Sequence, residues 1–287
     1  MDLFLQQLVN GLTVGSIYSL VALGLTLVFG ILHVPNFAHG AFYMIGAYIT
    51  LLVMTALGMN YWIAIIISIV SVGLLSIVFE RLVFSRIDAK DPLAMMIAAI
   101  GILFFLESAA LYLWGSQYQR MITPYGDTVQ FLGITVTYQR ILVIVAAVIL
   151  MILLHLFLTK TMTGSAIVAM SQNRKGAFLV GINANKVAML TFAIAGGLAA
   201  AAASLSAPIN LVFPSMGNLV IMKAFVIIII GGMGSIPGAI IGGYILGITE
   251  SLGGTYISAD YKDVIAFALL VIILTMKPNG LFGKGVH

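Results

Sequence analysis

The sequence predicts an all-α protein: a polytopic membrane bundle of about nine helices, with eight as the alternative count and one or two of the helices broken. Two observations carry this reading. Hydrophobic residues make up 62% of the 287 residues and charged residues only 8%, whereas a soluble domain carries about 25% charged residues. The apolar residues are also gathered into bilayer-sized runs. A helix needs about 20 such residues to cross the hydrocarbon core with its backbone hydrogen bonds closed internally.

These runs lie near 8–29, 37–57, 62–83, 93–114, 141–158, 187–207, 219–232, 236–252 and 264–276. The seventh and eighth are short and separated by Gly232-Met233-Gly234-Ser235-Ile236-Pro237. They are either two spans or a pair of half-helices, which is why the count is nine or eight. Residues 1–287 read as one membrane-spanning domain, with a polar loop over 159–185 inside it.

Lys and Arg are retained on the cytoplasmic side of a membrane. Arg81, Arg86 and Lys90 follow the third run, Lys160, Arg174, Lys175 and Lys186 follow the fifth, and Lys277 and Lys284 lie in the tail. Placing these nine inside leaves Arg120, Arg140 and Lys262 outside and Lys223 in or near the membrane. The N-terminus is then outside and the C-terminus inside, which requires an odd number of crossings. The segment Met1–Gln6 has no positive leader region, so the first run is expected to stay in the mature chain. The longest outer loop, 115–139, contains the alternating Ile134-Thr135-Val136-Thr137 and reads as short strands or turns, either a docking surface or a connector.

Polar residues within or beside apolar runs are the candidate functional residues, because such groups face protein or a water-filled cavity. One set is His33, Pro35, Asn36, His39 and Gly40 between the first two runs, either a polar break on a translocation path or a capped turn. Pro237 occupies a similar interruption. An offset of 202 residues aligns Gly30, Pro35 and Gly40 with Gly232, Pro237 and Gly242, so an internal repeat competes with chance among 30 glycines. A second set is Glu107, Lys223 and Glu250, each towards the outer end of its span. A charge at helix centre costs about 2.5–3.5 kcal/mol on insertion scales. The three are therefore expected either to pair and lock helices together or to form an outer vestibule for a zwitterionic solute. Gly234, Gly238, Gly242, Gly243 and Gly247 form small-residue faces for helix packing.

Several classes are excluded or disfavoured. The chain has no cysteine, hence no disulfide, thiol nucleophile or Cys-ligated metal, and no metal site is expected. No basic run suggests nucleic acid. Gly283-Lys284-Gly285 lacks the Ser or Thr that a phosphate-binding loop needs, so ATP hydrolysis by that route is not expected of this chain. A membrane enzyme using His33, His39 and Glu250 has no paired arrangement to recommend it. An ion-gradient-driven transporter using Glu107, Lys223 and Glu250 is the rival of a different class.

The most informative segment is the inner stretch from Thr163 to Asn183, where Ile167, Met170, Phe178 and Val180 alternate with polar residues. It is an amphipathic stretch suited to a membrane surface or to a partner's grip. Its Gln172-Asn173-Arg174 and Gly181-Ile182-Asn183 resemble the inner loop of the LivH-type permeases of ABC importers for branched-chain amino acids. Leu23–Gly30 leading into Asn36-Phe37-Ala38-His39-Gly40, the Gly232–Ala239 stretch, and Lys277-Pro278-Asn279-Gly280 are similar to other parts of that family. This chain has Ser165 and Val168 where the family usually places arginines, and Gly176 where it places an acidic residue or alanine. The resemblance implies a bacterial inner-membrane permease that binds no cofactor itself. Its implied partners are a second, related permease subunit, two cytoplasmic ATPases carrying ATP and Mg, and a periplasmic solute-binding protein, all working in membrane lipid. It assigns ATPase coupling to Gly164, Gln172, Asn173, Arg174, Lys175 and Gly181. Permeases for urea, short amides or other amino acids look alike in sequence, so the solute stays open.

Overall fold

The computed structural model describes residues 2–88, 91–131 and 133–283. Lys90 and Lys284, two of the nine basic residues counted for orientation, lie outside the described residues. The helices are α1 (Asp2–Leu32), α2 (Ala38–Thr55), α3 (Tyr61–Leu82), α4 (Pro92–Trp114), α5 (Tyr138–Lys160), α6 (Met162–Gln172), α7 (Arg174–Leu179), α8 (Ala184–Ser206), α9 (Met216–Gly231), α10 (Ile236–Tyr256) and α11 (Lys262–Met276). A short antiparallel hairpin, β1 (Thr128–Phe131) and β2 (Ile134–Thr137), occupies the loop read as strands or turns.

The architecture is the expected polytopic helical bundle. Among the described residues α1, α2, α3, α4, α5, α8 and α10 are long and apolar enough to cross a membrane, and α9 is a shorter apolar helix. With 16 residues α9 spans roughly 24 Å at about 1.5 Å per residue, short of a hydrocarbon core of about 30 Å. Its last carbonyls are nonetheless satisfied. The tail crosses them, with Leu281 N–H donating to Ile230 O at 2.8 Å and Phe282 N–H to Gly231 O at 3.0 Å.

Local chemistry sets the helix starts. Asn60, Asp91, Thr161, Asn173, Asn183 and Ser235 each cap the following helix through a side-chain oxygen that accepts a backbone N–H. These caps use the donors that a helix N-terminus leaves unpaired. Pro92 and Pro237 sit in the first turns of α4 and α10, where no intrahelical donor is lost.

Helices α1, α2 and α8 are mostly buried, whereas α3, α4 and α5 expose most of their apolar surface. That exposure suits lipid-facing helices. The centre is held by close backbone approach. A Cβ on Gly247 would collide with the backbone of Gly15 and the carbonyl of Gly11, and one on Gly15 would meet Tyr244 Cα at 2.9 Å. Ser19 donates to Ile240 O at 3.0 Å in the same α1–α10 seam. Gly238 faces Gly231 on α9, and Gly46 on α2 faces Ala200 on α8. Four of the five glycines expected on packing faces are therefore there. Gly234 is not: it lies in the α9–α10 turn at φ +80° with nothing near it.

The bundle has two chemically different ends. At one end Gln119 bridges Val212 and Thr135 N–H donates to Gln6, which joins the hairpin loop, the α8–α9 connection and the start of α1. At the other, Gly30 near the end of α1 packs on Ser171 of α6, and Gly280 packs on Gly232. The α6–α7 loop, the α9–α10 turn and the tail therefore share one end.

Gly247→Leu should disrupt the α1–α10 seam, since overpacking costs about 1–3 kcal/mol or more. Gly101→Leu should be tolerated, because nothing lies within 4 Å of the point where its Cβ would stand. Detergent-solubilised thermal shift and size-exclusion profiles of the two variants check this; equal behaviour would contradict the seam.

Candidate translocation path and coupling loop

A cavity of about 700 Å³ opens at the hairpin end among α1, α9, α10 and α11. Much of its wall is apolar, with Val14, Ile17, Leu219 and Val220; Arg140 and Lys262 also line it, and Lys223 and Glu250 form an ion-paired group within it. Lys223 on α9 places its Nζ 3.0 Å from both carboxylate oxygens of Glu250 on α10. It also lies 3.4 Å from Asp263 on α11. Tyr18 on α1 donates to Glu250 Oε2 at 2.9 Å, and Lys223 Nζ stands 5.4 Å from the centre of the Tyr18 ring. Three helices thus meet at the buried Glu250 carboxylate, and α11 joins the cluster through Lys223. The Glu250 side chain is 6% exposed, Lys223 is 17% exposed and Asp263 is 62% exposed.

The structure brings together two of the three ionisable groups expected to interact. Glu107 does not join them. It accepts from Asn218 Nδ2 at 3.1 Å and lines a separate cavity of about 380 Å³ with Phe104, Tyr118 and Phe213. Tyr18 and Asp263 were not legible as members of the cluster. Tyr18 sits mid-run among Ser16, Ile17 and Ser19 with no charged residue beside it, and Asp263 looks like a loop charge beside Lys262. Spacing on α10 gives a signal only once α1 is known to be its neighbour.

The expected polar break between the first two runs is smaller than its sequence suggests. α1 continues to Leu32 and α2 begins at Ala38, so His39 and Gly40 are helical rather than part of a broken segment. His39 is fully buried with Nε2 3.0 Å from Val21 O, which makes it a tie between α2 and α1. Gly40 packs on the backbone of Gly217. Asn36 precedes the helix, is 1% exposed and has no hydrogen-bond partner for either amide atom among the described residues. His33 is exposed and adopts φ +55°, a left-handed conformation uncommon outside glycine. Pro35 is half-buried, and Pro237 is exposed in the first turn of α10 rather than interrupting a span. The two aligned breaks also differ in construction. Gly30 lies inside α1, whereas Gly232 terminates α9 at φ +100°.

The polar loop is built from two capped helices rather than one amphipathic stretch. Thr161 Oγ1 accepts from Gly164 N–H at 3.0 Å to start α6, and a Cβ at Gly164 would collide with Phe157 O, so the α5–α6 corner excludes any side chain there. Asn173 Oδ1 accepts from Gly176 N–H at 2.9 Å to start α7. Gly181, at φ +85°, ends that helix before Asn183 caps α8. Ile167 and Met170 are buried against the bundle, as their apolar character suggests. Phe178 and Val180 are not: with Leu179 they stand 72%, 77% and 84% exposed respectively. Gln172, Asn173, Arg174 and Lys175 are also exposed. The loop therefore presents polar and basic groups next to an unburied apolar tip.

Comparison with known proteins gives this geometry a family. Residues 7–274 match the model described as branched-chain amino acid transport system / permease component. The chain belongs to that family. It is 37% identical to the high-affinity branched-chain amino acid transport system permease protein BraD of Pseudomonas aeruginosa, over 98% of this chain and 96% of the relative. It is 36% identical to the LivH permease of Salmonella typhimurium over the same shares, 98% and 96%. A probable LivH from Methanocaldococcus jannaschii is 28% identical over 92% of this chain and 88% of that one. Among solved structures, PsaBC from Streptococcus pneumoniae in complex with Fab shares the fold, with a TM-score of 0.52 at 15% identity, covering 98% of this chain and 94% of that one. Permeases of this family are transport subunits rather than enzymes, and this chain is accordingly a multi-pass membrane permease.

The ion cluster in this permease should behave as a coupled unit. Lys223→Met alone strands Glu250 and should cost about 3–5 kcal/mol, whereas Lys223→Met with Glu250→Gln should be close to neutral. Thermal-shift measurements of both variants in detergent check this. A double variant no better than the single one would refute the coupling.

Proposed function

We propose that this chain is one permease subunit of an ATP-driven importer for branched-chain or closely related hydrophobic amino acids in a bacterial inner membrane. Family membership carries the reading, and the apolar part of the cavity wall suits an aliphatic side chain. The orientation we favour has the N-terminus outside and the C-terminus inside. It is supported by the gathering of Lys160, Arg174, Lys175, Lys186 and Lys277 towards the end that carries α6 and α7. The cavity then faces the side from which a solute-binding protein delivers.

In this reading the partners are a second related permease, two cytoplasmic ATPases that hold ATP and Mg, and a periplasmic solute-binding protein. The ATPases grip α6 and α7 through Gln172, Asn173, Arg174, Lys175 and the apolar tip Phe178–Leu179–Val180. Gly164 and Gly181 fix the corners of that grip. The chain's task is alternating access, in which ATP-driven closure biases a two-state bundle. α1 offers the mechanical link, because it packs on α6 at Gly30 and reaches the cavity at Tyr18 within one helix. The ion-gradient alternative is less well supported, since Lys223 and Glu250 are already paired with one another.

Arg174→Glu with Lys175→Glu should lower recovery of the ATPases in a pull-down at least severalfold while membrane insertion is unchanged. An Asn173→Cys variant of this cysteine-free chain should react with an impermeant thiol reagent only from the cytoplasmic face. Labelling from outside would remove the basis for ATPase coupling.

A further inference from the structure

We infer that Lys223, Glu250 and Asp263 form a transient docking point for the charged head of a zwitterionic amino acid, with the solute's carboxylate replacing Asp263 on Lys223 and its ammonium approaching Glu250. This rests on the importer reading above and names how the permease itself engages the solute.

The geometry separates the two carboxylates. Glu250 is buried, lies 3.0 Å from Lys223 and is fixed by the Tyr18 hydroxyl at 2.9 Å. Asp263 is the longer partner at 3.4 Å, and its side chain is 62% exposed. A solute carboxylate can displace Asp263 at little cost, because the aspartate is already largely in water and a solvent-exposed partner adds little to an ion pair. Lys223 keeps a counter-ion throughout the exchange. That matters because leaving one member of a buried pair alone is far more costly than exchanging its partner. The ammonium of the solute meets a carboxylate whose two oxygens are already arranged by Lys223 and Tyr18. The site therefore recognises two opposite charges a short distance apart and never passes through a state with an orphaned charge.

A purely structural lock between α9, α10 and α11 would need neither an adjoining cavity of about 700 Å³ nor an exposed third member. The cavity lies within the usual range of small-molecule sites, about 300–1,000 Å³. Its apolar wall of Val14, Ile17, Leu219 and Val220 stands ready for an aliphatic side chain while the head is held. Holding should be weak, since a transport path has to release what it binds.

The chain has no cysteine, so Thr255→Cys at the exposed cavity rim introduces a single thiol on it. In vesicles holding the complete complex, labelling of this subunit by a membrane-impermeant thiol reagent is measured with leucine, with 4-methylpentanoate, which lacks the ammonium, and with 3-methylbutylamine, which lacks the carboxylate. Leucine at tens of millimolar should slow labelling at least fivefold, and neither analogue should do so. Protection should vanish in the Lys223→Met, Glu250→Gln background. Equal protection by all three compounds, or no protection by leucine in a complex that still imports it, overturns the proposal. Absence of ATP-dependent leucine uptake by the wild-type complex strikes the importer reading instead. Protection is read without ATP, so the two failures are distinguishable.

Discussion

Hydrocarbon offers no hydrogen bond to a stranded polar group, and the rest of this structure follows from that constraint. It dictates helices, and it also dictates how helices end and meet. The carbonyls that close α9 are taken up by backbone N–H groups of residues 281 and 282. Without a hydrophobic driving force between apolar helices in lipid, association relies on close backbone approach and on a few polar ties. Gly11, Gly15, Gly243 and Gly247 supply the first in the α1–α10 seam, and Ser19 and Tyr18 supply the second. The same constraint makes Lys223 costly unless it is paired, and so concentrates the charged chemistry of four helices at one place.

That concentration gives the proposed coupling a physical route. α1 is a single helix of 31 residues, and a helix transmits displacement along its axis better than a loop does. Its Gly30 turn lies against Ser171 on α6, and its Tyr18 holds Glu250. Movement of the loop helices relative to the bundle therefore has a direct path to the carboxylate that orders the cavity. Packed cores are bistable rather than continuously deformable, so a small shift at one end resolves into a choice between arrangements at the other.

The fold was legible because apolar run length is a strong signal, whereas the side-chain caps at Asn60, Asp91, Thr161, Asn173 and Asn183 that set the helix starts emerge only in the structure. The loop from Thr163 to Asn183 was legible as a unit, but its interior was not. Ile167 and Phe178 look equally apolar in sequence, and only the turn at Asn173 sends one into the bundle and the other into solvent. The ion cluster was half legible. Lys223 and Glu250 stand out as charges within apolar runs, yet nothing in spacing reveals that α1 brings Tyr18 to them while Glu107 falls beside Asn218. His39 stood out for its polarity and proved to be a tie to Val21 O. A polar residue in a membrane helix announces that it has a partner; it does not announce which one.

The departures from the family pattern then acquire a meaning. The resemblance leads one to expect arginines at 165 and 168, and this chain has an exposed serine and a half-buried valine there. Arg174 and Lys175 remain as exposed charges on the loop, beside Phe178, Leu179 and Val180. Burying each of those apolar side chains stabilises an interface by about 1.5–3 kcal/mol, whereas exposed ion pairs contribute about 0–1 kcal/mol and weaken with salt. If the ATPases dock here as proposed, such a surface would take most of its affinity from the apolar tip and use the two basic residues for orientation and approach. The ATPase that fits it would carry an apolar cleft with a modestly acidic rim, a different complement from the one an arginine-rich loop selects.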